Sequence, residues 1–275
     1  MSNFEGGQAS VPARTAVQKS FGSTVYLGAA IVFAVSLILD LATAQANLEI
    51  VNDILEAFSI NSSSVLSGGM GGIIIARLPK ILALAGMLLA WNAAKNMESK
   101  SGTGFTLLQV ATCLTYIPML LLIGLGALVL VAAGREVFAN NFGEEAEAAV
   151  MRIAVGLFVA MILSLVYMIG LMKTYGSCGK VVKTLDGWKG ASVVVIVINV
   201  ISIIGRVFGI LLFGIMVKDV LAPYIERMGL DPEPIEKLFT GVSAMPGILT
   251  AVYLILLTMT FIKANSEYKK NAKTL

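Results

Sequence analysis

Arg206 is the most deeply placed charge in any apolar run of this chain, and the residues around it share its helix face. Asn199, Ser202, Arg206 and Gly209 follow one another at steps of three, four and three, so a helix puts them on one side. Amide, hydroxyl and guanidinium groups are expensive against hydrocarbon, and such a face turns toward protein or water. Asp40, with Ser36 one turn before it, offers the matching anion. At ~1.5 Å rise per residue, Asp40 and Arg206 lie at comparable depths, roughly 25 Å from the inner ends of their helices.

Two arrangements follow from these residue types. In one, Asp40, Asn199, Ser202 and Arg206 line a water-filled or ligand-binding cleft that opens outward, with Arg206 attracting an anion. In the other, Asp40 pairs with Arg206, or with the outer basic pair Arg77 and Lys80, and the charges neutralise each other while holding helices in register. Pairing is the ordinary way that buried charge is tolerated.

Other chemistry is excluded by what the chain lacks. It has no histidine and two cysteines, Cys113 in an apolar run and Cys178 in a basic stretch, so no Cys/His cluster can hold zinc and no disulfide framework is implied. Gly176-Ser177-Cys178-Gly179-Lys180 has the outline of a phosphate loop, but Thr174 stands where the first glycine belongs and Val181 replaces the hydroxyl residue. No catalytic residue, cofactor or metal ligand is assigned. The reading is of a protein that is not an enzyme.

The elements that must position these groups are membrane helices. Hydrophobic residues make up 57% of the chain and charged residues 13%, about half of what a hydrated surface needs. Six apolar stretches, at about 22–44, 75–96, 105–133, 150–173, 191–217 and 245–264, are each long enough to cross a hydrocarbon core. The expected organisation is a flexible cytoplasmic tail over 1–21, a six-helix membrane domain over 22–264 and a basic cytoplasmic tail over 265–275. Ala42-Thr43-Ala44 has the small-x-small form of a signal-peptidase site, and cleavage there would leave five spans.

Lys and Arg next to a span are retained on the cytoplasmic side. With the amino end inside, the inner segments hold Lys95, Lys100, Lys173, Lys180, Lys183, Lys189, Lys263 and the lysines of the carboxyl end, while Glu49, Glu144, Glu145, Glu147 and Glu233 collect outside. Both termini are therefore expected in the cytoplasm. Trp91, Tyr175 and Trp188 near the inner span ends agree, since amphipathic rings prefer the headgroup level.

Short amphipathic helices are expected on the outer face. Leu48, Val51, Leu55 and Phe58 recur at helical spacing, as do Val217, Val220, Leu221, Tyr224, Ile225 and Met228. Glu144, Glu145 and Glu147 belong in the first turn of the fourth span, where negative charge suits the helix dipole. A faint parallel repeat relates the first and last hairpins, with Pro79 and Pro246 each expected in the opening turn of an inward-running span. Glycine-rich entries precede both, and interrupted segments at matching repeat positions are the pattern of a transport site. Gly156, Ala160 and Ser164, and Gly205 with Gly209, allow close approach of a neighbouring helix or a second copy.

The fold class is thus all-α, a polytopic six-span bundle in the cell membrane, with a bacterial cytoplasmic membrane the simplest location. Its partners are the lipid bilayer and either another protein or a homo-oligomer, with no nucleic acid. The function adopted is a non-enzymatic membrane component, a scaffold or accessory subunit. The alternative is a transporter or channel for a small solute or ion, with its cleft near Arg206.

Overall fold

The computed structural model describes residues 11–57, 69–134, 144–184, 187–216 and 245–273. Among them the chain forms seven α-helices and no strand: α1 (Val11–Phe21), α2 (Thr24–Ala57), α3 (Gly69–Lys95), α4 (Thr103–Val129), α5 (Glu144–Val182), α6 (Val193–Met216) and α7 (Met245–Ala272). A 3-10 turn at Met97–Ser99 links α3 to α4, and a π turn at Leu130–Gly134 extends α4. Thr24–Ala44, Ile75–Lys95, Thr103–Ala132, Met151–Val182 and Met245–Ala272 are long and apolar enough to cross a membrane, and they mark the chain as an integral membrane protein. Val193–Phe208 of α6 is a shorter apolar segment.

Inside hydrocarbon a helix must satisfy its own polar groups. The threonines do so by returning their hydroxyls to the carbonyl four residues back: Thr43 to Leu39 at 2.8 Å, Thr112 to Leu108 at 2.7 Å, Thr115 to Ala111 at 2.8 Å and Thr260 to Leu256 at 2.9 Å. Thr258 is different, for its hydroxyl is buried without a partner.

Each of α2 to α7 packs on its successor except that α7 returns to α2, so the six close a ring. One end of that ring, here called basal, holds α1, the 95–103 turn, the 187–193 loop and the end of α7. The other is called distal. Most of the fully buried large side chains sit basally, among them Phe21, Tyr26, Met87, Phe105, Val181, Val182, Leu257 and Phe261.

Over Val11–Phe21 the segment expected as a flexible tail is a helix instead, and residues 1–10 lie outside the described residues. Ala13, Ala16, Val17, Ser20 and Phe21, at spacings of three, four, seven and eight from the first, form one buried stripe of α1. That stripe packs across the basal end on α7, α3, α5 and α2. Phe21 lies against Tyr26, Phe105 and Phe261, with ring centroids 5.1, 5.4 and 6.0 Å away, so one side chain from α1 joins α2, α4 and α7. Lys19 also donates to Glu267 of α7 at 3.0 Å.

The basic stretch 174–190 and the 265–275 tail also differ from loops. The fifth helix runs through Val182, so Gly176–Lys180 is helical, and α7 continues to Ala272. Residues 187–192 are stitched between these two ends. Lys189 donates its backbone N–H to Ser177 Oγ at 2.9 Å, Ser192 donates to Thr174 Oγ1 at 3.1 Å, and the Asn265 side chain bonds both the N–H and the carbonyl of Ala191. Gly190 has φ +80, and a Cβ there would stand 3.0 Å from Asn265 Oδ1, so glycine is needed on both counts.

At the distal end α2 runs to Ala57 without interruption, so the backbone of the first expected amphipathic segment continues the long helix as far as that residue. The third connection, with Tyr224, Asp231 and Gly241, lies outside the described residues. Pro79 is inside α3, which begins at Gly69, and is not in its opening turn as the repeat predicted. Neighbouring helices let membrane helices tolerate such a proline, so the apolar periodicity carries through it. Pro246 is the second residue of α7. Glu144, Glu145 and Glu147 fall in the first turn of α5 as expected.

Candidate functional site

The charged residues separate into two places. Asp40, one turn before the distal end of the apolar part of α2 (Thr24–Ala44), accepts Arg77 Nη2 at 3.2 Å and Lys80 Nζ at 2.5 Å. Arg77 and Lys80 stand three residues apart on α3 and so present one face to the carboxylate. The Asp40 side chain is 18% exposed and the Lys80 side chain 50%, which makes this a partly wetted bridge at the α2–α3 seam. Ser36, a turn below, donates to the Pro246 carbonyl at 3.4 Å and ties α2 to α7.

Arg206 is elsewhere, because α6 packs on α5 and α7. Along the inner face of α6 exposure rises with height: Val195 is 0% and Asn199 1% exposed, Ser202 is half-buried and Arg206 is exposed. Residues 204–208 are exposed all round the helix, so α6 leaves the packed interior above Asn199. Asn199 is the last fully buried residue of this face.

There Tyr167 of α5 donates its hydroxyl to Asn199 Oδ1 at 2.6 Å. The bond orients the amide, and it leaves Asn199 Nδ2 buried without a partner. Tyr116 of α4 packs on Tyr167, with ring centroids 5.6 Å apart and planes at 59°. Side chains on a helix lean toward its amino end, which for α6 is the basal end, so Arg206 reaches down toward these rings. Asn199, Ser202 and Arg206 thus share one face of α6, and Asp40 is bridged instead to α3, with α7 between α2 and α6.

Aromatic rings fill the interior at several heights: Phe33 with Tyr253 at 5.0 Å, Tyr175 with Phe261 at 6.3 Å and, basally, Tyr26 with Phe21 at 5.1 Å. Five tyrosines, Tyr26, Tyr116, Tyr167, Tyr175 and Tyr253, therefore furnish the interior from four helices. The sequence reading treated only Tyr175 among them. Their signal was position: Tyr116 and Tyr167 lie well inside apolar runs, away from the interfacial levels where tyrosine ordinarily settles.

No family model, curated protein or solved structure matches this chain. Among the described residues no group of three or more His, Cys, Asp or Glu side chains is gathered in one place. What this face of α6 presents is Asn199, Ser202 and Arg206, with the Tyr116–Tyr167 ring pair beside Asn199.

Proposed function

We propose that this protein is a six-span component of a cell membrane that binds a small solute in a cleft entered from the extracytoplasmic side, as a transporter or channel of this class would. The sixth span is α6, whose 24 residues reach ~36 Å, enough for a hydrocarbon core of roughly 30 Å. In this reading the basal end is cytoplasmic, since Lys95, Lys100, Lys180, Lys183, Lys189 and Lys263 border it. Both termini then lie inside, and the aromatic rings with α1 form the inner closure. A bacterial cytoplasmic membrane is the simplest setting, and the protein is not an enzyme.

The observation that carries the reading is the exposure gradient from Val195 to Arg206 along one helix face. It is tested with single cysteines at Val195, Ser202 and Arg206 in a chain whose Cys113 and Cys178 are replaced by alanine. A membrane-impermeant thiol reagent applied to intact cells is expected to label positions 202 and 206 and to spare 195. Protection of all three would remove the cleft.

A second reading, the scaffold or accessory subunit, is supported by one observation. Cβ atoms added at Gly156 or Gly205 would meet nothing within 4 Å, so these small-residue positions are open to a neighbouring helix. The outer amphipathic segments would then add to the contact surface.

A further inference from the structure

We infer that the basal end binds anionic phospholipids, their phosphates on Lys95, Lys173 and Lys263 and their acyl chains on the apolar strips above those lysines. The inference rests on the membrane spans and is independent of the solute cleft.

Each of the three lysines stands at the foot of an apolar strip on its own helix. Leu88 and Lys95 of α3 are seven residues apart, Ile169 and Lys173 of α5 are four apart, and Met259 and Lys263 of α7 are four apart. These intervals put each pair on one helix face, and all six side chains are exposed. An apolar body that ends in a phosphate matches that order of parts, whereas a soluble polyanion would make no use of the leucine, isoleucine and methionine. Helices α3, α5 and α7 alternate with the others around the ring, so the three places look to different sides. Lipid borders every side, and a docked protein would cover one.

Charge selects the headgroup. Among the described residues none of the three lysines has a carboxylate partner: Glu267, one turn past Lys263, is taken by Lys19, and Glu98, three residues past Lys95, is exposed and outside any ion pair. Lys95 rests over the Trp91 ring, 4.9 Å from its centroid, which keeps the ammonium at the headgroup level where an indole settles. Lys180, Lys183 and Lys189, all exposed, raise the positive potential of the same end. A zwitterionic headgroup carries an ammonium of its own into that field, and an anionic one does not.

Trp91 and Trp188 are the two tryptophans of the chain, so Trp188→Phe leaves a single reporter beside Lys95. The full-length Trp188→Phe protein is reconstituted in phosphatidylcholine bilayers that hold a fixed fraction of either phosphatidylglycerol or phosphatidylcholine brominated on its acyl chains. Fluorescence is referred to unbrominated bilayers of the same composition. Brominated phosphatidylglycerol is expected to quench Trp91 as if about fivefold enriched there, the preference that one lysine at a membrane surface supplies. Lys95→Gln is expected to abolish the preference and Lys95→Arg to keep it. Raising the salt is expected to weaken it, which decides the matter where the glutamine variant does not fold. For the other two places, native mass spectrometry of protein taken from an equal mixture of the two lipids is expected to show retained phosphatidylglycerol, and less of it in Lys173→Gln/Lys263→Gln. Unchanged retention in that double variant would overturn the places on α5 and α7. Equal quenching by the two brominated lipids, a preference that survives Lys95→Gln or high salt, or relief of quenching by inorganic phosphate at matched ionic strength would each overturn the proposal.

Discussion

The contact between Tyr167 and Asn199 shows how a polar group is made tolerable inside this bundle. Its energetics can be separated by mutation, because losing one partner costs more than losing both. Tyr167→Phe strands the Asn199 oxygen beside an amino group that already lacks a partner, and is expected to destabilise by ~1–3 kcal/mol. Adding Asn199→Leu removes the stranded atoms, and the double variant is expected to melt above Tyr167→Phe alone. Thermal midpoints in one detergent measure both, and a double variant that melts lower would contradict the account. Asn199 itself was legible as a functional candidate from its spacing with Ser202 and Arg206. Tyr167 was not, since nothing local in the sequence says which of α4, α5 or α7 faces α6. Asp40 makes the same point from the other side. Arg77, Lys80 and Arg206 were all in reach by depth, and only the order of helices around the ring chooses among them.

Helix contacts in this bundle are decided by backbone approach. Gly104 of α4 is the closest case, for a Cβ there would stand 2.2 Å from the Ala90 backbone nitrogen of α3. No side chain can move aside to relieve it, so the helices must separate. Gly156 of α5 is the contrast, with open space around it. Gly104→Ala is therefore expected to lower the thermal midpoint markedly, and Gly156→Ala to leave it unchanged within error. Comparable losses in both variants would refute the assignment of the tight crossing to α3 and α4. The long apolar helices themselves were readable because a span needs only local composition: five of the six expected stretches overlap helices long and apolar enough to cross a membrane, and the sixth overlaps the shorter apolar segment of α6. Helix α1 was missed for a physical reason. Its buried stripe is built of Ala13, Ala16, Val17, Ser20 and Phe21, three of which are too small to register as hydrophobic, and the surface they fit is made by helices far along the chain.

Among the described residues cohesion is uneven, with most of the fully buried large side chains gathered at the basal end. Cys178 reports on that end, being fully buried on α5 where α1 packs. In detergent, Cys178 is expected to resist a maleimide until the protein unfolds, and Phe21→Ala is expected to speed its labelling. Emptying the space of a buried phenylalanine costs ~3–5 kcal/mol, enough to raise the population of openings at that end by orders of magnitude. Unchanged labelling of Cys178 in Phe21→Ala would mean that the aromatic junction does not hold the basal end together. The distal residues Gly205 and Arg206 are already exposed, so no comparable barrier guards them.

The pairing of Lys19 with Glu267 spans 248 positions of the polypeptide. Helix α1 can therefore rest on α2, α3 and α5 before its seat is complete, and gains its contact with α7 last. Until then Phe21 has Tyr26 and Phe105 beside it but not Phe261. A polypeptide that stops before α7 is thus expected to hold α1 more loosely than the full one.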